Sequence, residues 1–219
     1  HSDTTLRLRP FFAFRNKHSL SKANMEANGR SYPVQGGVKC KLYEGFPWLY
    51  LQTNKADAEF VAAPDWYYGF EYPEEIKRGY DGYEDLLTTG YFEMNIKKGE
   101  SIIFSAATDE MATGETISQI YEASIARRTH KIDFLSCLHH SARQFVVRRP
   151  GGRTEMIAGY PWYGTVGRDT FISLPGIVLE QKYKEDCMDV LDTMVSQMQN
   201  GDFAGSASAW VAADAPLWF

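Results

Sequence analysis

The sequence predicts an α+β protein in which strands come first and helices second, with the seam near residues 107–116. Two observations carry this expectation. Before the seam, short runs rich in Val, Tyr, Phe and Trp are separated by turn residues. After it, apolar residues recur at the three- and four-residue spacing of a helix face. Strands are therefore expected before about residue 110 and helices after it, with one long helix over roughly 117–128.

In the first half, "VKCKLY" (38–43) and "PWLYLQT" (47–53) flank a turn at Gly45 and read as a hairpin. "DWYYGFEY" (65–72) reads as an aromatic strand. "GYFEMNI" (90–96) and "SIIFSAAT" (101–108) flank "KKGE", a second hairpin signal. Antiparallel strands at this spacing suggest part of a β-sandwich.

In the second half, Ile117, Ile120, Tyr121, Ser124 and Ile125 fall on one helix face after the turn-prone Thr113-Gly114. Ile132, Leu135, Leu138, Ala142, Phe145 and Val146 extend the pattern until Pro150-Gly151-Gly152. A further helix starts at about Arg168, with Pro175 kinking or restarting it. Cys187, Leu191, Met194, Val195 and Met198 form the last stripe, ending at Asn200-Gly201. The tail from Gly205 reads as a loop in which Pro216 opens one more helix.

Composition narrows the function classes. A formal charge of −5 and the lack of a Lys/Arg tract exclude nucleic acid as the expected partner. No apolar run reaches the roughly 18 residues of a membrane span. Cys40, Cys137 and Cys187 have neither CxxC spacing nor the look of a disulfide framework, which fits a reducing, cytoplasmic setting. Adjacent His139-His140 point about 100° apart on a helix, so no metal is expected. No serine sits in a G-x-S-x-G elbow, so a hydrolase triad is not expected, and no phosphate-binding glycine motif occurs. Glu74-Glu75 and Glu84-Asp85 read as solvated faces of strand-linking loops.

The informative stretch is "AGYPWYGTVGRDTFISLPG" (158–176). A sugar presents apolar C–H faces and crowded hydroxyls, which call for aromatic rings and planar polar groups. Tyr160, Trp162 and Tyr163 supply rings, Arg168 a rigid fork of donors, and Asp169 an acceptor at a helix start. An ordinary core, with Asp169 as a plain N-cap, is the competing reading of the same residues. Asp214, four residues before Trp218, forms a second candidate cluster that also reads as an ordinary helix start.

These motifs resemble a family. The 158–176 block is similar to the motif opening the glucosidase domain of bacterial and archaeal glycogen debranching enzymes, of the amylo-α-1,6-glucosidase type. "LRLRPFFAFRNKHSL" (6–20) and "RGYDGYEDLLTTGYFEM" (78–94) resemble the distal part of that family's β-sandwich, and "DAPLWF" (214–219) resembles a later block of its helical domain. The resemblance implies a central stretch of such an enzyme: a β-sandwich portion over 1–112, a linker helix over 113–130, and the first helices of an (α/α)6 barrel over 131–219. It implies glucose held by Arg168 and Asp169, a pocket walled by Tyr160 and Trp162, and Asp214 and Trp218 lining the same mouth. Where the family has Trp or Asp before Gly-Arg-Asp, this chain has Thr165-Val166. The implied reaction is inverting hydrolysis of α-1,6 branch points of glycogen or limit dextrin, with acid and base supplied from outside this chain and with no metal or organic cofactor. No catalytic residue is therefore assigned here. The alternatives are a non-catalytic glucan-binding or structural module and an α-1,4-acting glucosidase or glucanotransferase. A partial barrel would leave apolar helix faces uncovered, so self-association through them is expected.

Overall fold

A computed structural model describes residues 3–128, 130–198, 203 and 214–219 of the chain. It is a mixed α+β structure with antiparallel sheets, and it divides into two compact units, His1–Arg127 and Arg128–Phe219.

The first unit holds seven strands: β1 (Thr4–Leu8), β2 (Ser31–Val34), β3 (Gly37–Cys40), β4 (Leu49–Thr53), β5 (Glu59–Glu71), β6 (Tyr83–Ile96) and β7 (Phe104–Ala107). They form two antiparallel sheets, ordered β1-β6-β5 and β2-β3-β4-β7. Val38, Cys40 and Leu51 from one sheet and Leu87, Phe92 and Met94 from the other share a single apolar core with Phe12 and Leu42. Alternation along each strand places these side chains inward. The long β5–β6 pair carries register shifts between Ala62 and Asp65 and between Tyr67 and Phe70. Pro64, which has no N–H to give the ladder, sits in the first of them. The hairpin expected from "VKCKLY" and "PWLYLQT" is present as β3–β4.

The second expected hairpin is not formed. The "KKGE" turn exists, with the Glu100 N–H donating to Lys97 O at 3.0 Å and Gly99 at φ +80°. The strand that follows, however, pairs with β4 in the other sheet rather than returning along β6. Residues 101–103 supply the slack for this crossover, and Asn54 catches the chain by accepting from the Ile103 N–H through Oδ1 at 2.9 Å. A turn signal reports a reversal, and it does not say which strand the chain then joins.

Two further expectations fail. Glu84 is not solvated: it lies within β6 and is fully buried. Its carboxylate accepts from Arg15, from the Ser21 N–H at 2.9 Å and from the Tyr72 hydroxyl at 2.7 Å. Burial works to raise its pKa, but these donors prevail and bring it down to about 2. A short helix, α1 (Pro73–Lys77), also interrupts the strand-rich half; there Glu74 is exposed as expected and Glu75 is half-buried. The unit closes with α2 (Gly114–Ala126), capped by the Thr113 hydroxyl on the Thr116 N–H. Of its expected stripe only Ile117 is buried.

The second unit contains strands after residue 130, which corrects the expected segregation. Helix α3 (Phe134–Arg143) begins in a capping box between Asp133 and Ser136 and stops well before Pro150. Val146–Arg148 (β8) and Thr154–Met156 (β9) then pair as a hairpin, with Val147 opposite Glu155. Phe145 and Val146 continue the helical period by coincidence. The β-branched pair before a turn whose Gly151 and Gly152 both have positive φ was the competing signal. Helix α4 (Gly167–Leu174) runs into a π-helical turn at Pro175–Leu179, where the proline cannot donate to the α-helical ladder. In α5 (Lys184–Ser196) the buried face is Cys187, Val190 and Met194, while Val195, and Met198 just past the helix end, are exposed, a rotation from the expected stripe. The short α6 (Ala215–Trp218) carries Pro216 in its first turn. Met156, Phe171, Leu174, Val178 and Phe203 complete this unit's core. The loop expected from Gly205 lies, up to residue 213, outside the described residues. Among the described residues, no helix is long and apolar enough to cross a membrane.

Candidate functional site

The site is built on the segment from β9 to α4. At its base the Ile157 N–H donates to Phe145 O at 2.9 Å, and the Ala158 N–H to Gly164 O at 2.9 Å. Within it the Tyr163 N–H reaches Gly159 O at 2.8 Å, so residues 158–164 close into a small loop. Gly159 permits that closure: a Cβ there would stand 2.6 Å from the Tyr163 ring. The Tyr160–Pro161 peptide is cis. Tyr160 and Trp162 are 53% and 52% exposed, so they are not core residues.

Helix α4 starts without a side-chain cap, since Val166 at the N-cap has no acceptor. Gly167, its first residue, is wedged against Phe203. A Cβ at this position would meet Phe203 O at 2.5 Å. Gly167→Ala is therefore expected to displace the helix start and to lower stability by about 1–3 kcal/mol, the usual cost of overpacking. Chemical denaturation measures this directly; an unchanged midpoint would show that Phe203 yields freely.

Arg168 follows, and the carboxylate it meets is Asp214: Arg168 Nε lies 3.2 Å from Asp214 Oδ2. The Trp218 indole donates to the same oxygen at 3.4 Å. Asp214 stands at the N-cap of α6, where its carbonyl accepts from the Leu217 N–H at 3.0 Å. The fold thus joins Arg168, Asp214 and Trp218 across 46 residues of chain (214 − 168). Asp169, one position on, lines a different surface. It borders a groove of about 340 Å³ with Phe145, Met156, Ile157, Ala158, Thr170, Ile172, Ser173 and Ile177. Adjacent residues on a helix point about 100° apart, which is why the two halves of the Arg-Asp pair serve different neighbours.

Two groups behind the site were not singled out from the sequence. Glu155 in β9 is buried, and its Oε2 accepts from Arg149 Nε at 2.9 Å and from the Thr165 hydroxyl at 3.2 Å. Burial raises its pKa and the Arg149 bond lowers it, with a net depression. Asp186 at the start of α5 is buried too, accepting from Arg143 and, at 3.1 Å, from Arg148. The signal available was the Gly151-Gly152 turn, which places Glu155 on the returning strand of a hairpin. Among the described residues no cluster of three His, Cys, Asp or Glu side chains is arranged to hold a metal ion.

Comparison with known families agrees with both units. Residues 1–103 match the model of the glycogen debranching enzyme N terminal region, and residues 140–219 match that of amylo-alpha-1,6-glucosidase. No curated protein and no solved structure matches the chain. The two matches occur in order along one chain, and the second spans the loop, Arg168, Asp214 and Trp218; the chain belongs to the glycogen debranching enzyme family.

Proposed function

We propose that this chain belongs to a glycoside hydrolase acting on α-1,6-glucosidic branch points of glycogen or limit dextrin. Within it, Arg168, Asp214 and Trp218 form the corner that grips the terminal glucose. The observation carrying this reading is the meeting of a guanidinium, a carboxylate and an indole at the start of α4. Arg168 has five N–H donors in a plane and the contact with Asp214 engages one of its nitrogens. That leaves a fork suited to neighbouring hydroxyls, while the half-exposed Trp218 offers an apolar face. Asp169 serves the same ligand from the adjoining groove, and Tyr160 and Trp162 act as its wall.

Inverting hydrolysis needs a protonated acid at the leaving oxygen and a base holding water on the opposite face, about 6.5–9.5 Å apart. Asp214 is committed to Arg168 and Trp218, which suits holding hydroxyls better than delivering a proton. The acid and base are assigned to no residue of this chain, and residues 131–219 are assigned to the opening helices of an (α/α)6 barrel, after a linker over 113–130 and a sandwich portion over 1–112. Uncovered apolar positions on α3, where Phe134 is 82% exposed, support self-association through helix faces. The unpaired cysteines support a cytoplasmic setting.

The test is titration of limit dextrin into the chain, with released glucose assayed in parallel. Binding without glucose release is expected. Trp162→Ala should weaken binding several-fold, the loss of about 1 kcal/mol of ring contact. Full affinity retained in Trp162→Ala, Tyr160→Ala and Arg168→Ala alike would move the glucan site elsewhere. Glucose release abolished by Asp214→Asn would make Asp214 part of the chemistry instead.

A further inference from the structure

We infer that Glu155 is a positioning residue for the glucan-gripping corner, tethering the segment that delivers Arg168. This rests on the reading of Arg168 as a sugar-binding group. Glu155 lies on β9, yet its bonds reach three other places. One is Arg149, just past β8; the second is Thr165, in the segment before α4; the third is Gln197, at the C-cap of α5, whose Nε2 is 3.5 Å from Oε1. Thr165 is fully buried and stands three residues before Arg168.

Thr154, also on β9, makes the same kind of attachment. The Thr154 hydroxyl is 3.4 Å from Asp189 Oδ2 on α5, whereas the Thr170 hydroxyl, 3.5 Å from Met156 O, gives its proton to Val166 O at 2.9 Å. Arg168 therefore projects from a helix start held at Thr165 by Glu155 and at Gly167 by Phe203. Of these two holds, only the Glu155 tether involves a charge.

A buried carboxylate is a poor way to stabilise a core, because an apolar residue of similar volume usually does as well or better. What it supplies is direction: two oxygens fix three donors from three segments, and its ionisation strengthens each bond. Misplacing a binding group by about 1 Å is enough to lose most of its effect. The depressed pKa keeps Glu155 ionised at neutral pH, so the tether is present under ordinary conditions.

The experiment titrates limit dextrin into the full chain carrying Glu155→Leu, Glu155→Gln, Thr165→Val, Arg168→Ala, or Glu155→Leu with Arg168→Ala. Thermal unfolding of each variant is recorded alongside. Glu155→Leu and Thr165→Val should each weaken binding about tenfold, the effect of ~1.4 kcal/mol. Glu155→Gln, whose amide oxygen can still accept from Thr165, should stay within about twofold of the parent. Since Glu155 acts through Arg168, the double variant should bind no more weakly than Arg168→Ala alone. Thr165→Val, nearly the shape of threonine, keeps the test open should Glu155→Leu fail to fold. Parent affinity in Glu155→Leu and Thr165→Val, beside a weakened Arg168→Ala, overturns this inference alone. Additive losses in the double variant overturn it as well, because they assign Glu155 a general structural role. An Arg168→Ala variant that binds like the parent overturns the proposed function and this inference with it.

Discussion

Arg168→Ala should weaken limit-dextrin binding by about 10- to 100-fold, because hydrogen bonds from a charged donor contribute roughly 1.5–3 kcal/mol. Its effect on stability should be small. The ion pair with Asp214 is half exposed on both sides, 51% and 41%, and pairs of that kind contribute about 0–1 kcal/mol. Arg168→Lys should recover little of the affinity, since an ammonium keeps the charge and loses the planar fork. Titration calorimetry and thermal unfolding on the same samples separate the two effects. Affinity and melting temperature falling together would mean that Arg168 holds the fold and not the sugar.

The largest stability effect is expected in the first unit, at Glu84. Glu84→Ala removes a fully buried carboxylate and leaves Arg15, Tyr72 and the Ser21 N–H without their acceptor. Breaking such a buried pair costs about 3–5 kcal/mol. The same group sets a pH dependence. Its pKa falls from an ordinary 4.5 to about 2 on folding, so the folded protein binds the proton more weakly than the unfolded chain. The stabilisation, on the order of 3 kcal/mol, is fully present above pH 4.5 and is lost as pH falls toward 2. Urea melts between neutral pH and pH 3 should show this loss in the parent, and a shallower one in Glu84→Gln, which has no proton to take up. Superimposable acid dependence in the two proteins would remove Glu84 as the cause.

Much of this organisation was legible in the residues, and the failures share a cause. The strand-rich first half, the β3–β4 hairpin, the helix start near Arg168 and the interruption at Pro175 all follow from local signals such as aromatic runs, glycine turns and proline's missing donor. The misread elements depended on partners distant in sequence. "KKGE" announces a turn, but only Asn54 and β4 decide which sheet receives the next strand. Phe145 and Val146 fit a helix period until Thr154–Met156 is available to pair with. Glu84 looks like a solvated charge because its partners Arg15 and Ser21 lie more than sixty residues upstream. The site behaves the same way. The ring-rich loop and the Arg168-Asp169 pair were visible as composition. That Arg168 turns to Asp214 while Asp169 turns to a groove was not, because it depends on where α6 is placed against α4.

On the proposed function, Arg168, Asp214 and Trp218 together hold a glucose unit. A crystal structure of the chain soaked with isomaltose, the disaccharide of the α-1,6 linkage, tests it most directly. The expected result is a glucose ring whose hydroxyls take hydrogen bonds from the Arg168 guanidinium and donate to the Asp214 carboxylate, with a C–H face against the Trp218 indole. A sugar bound on the sheets of the first unit, with Arg168 still paired only to Asp214, would contradict it.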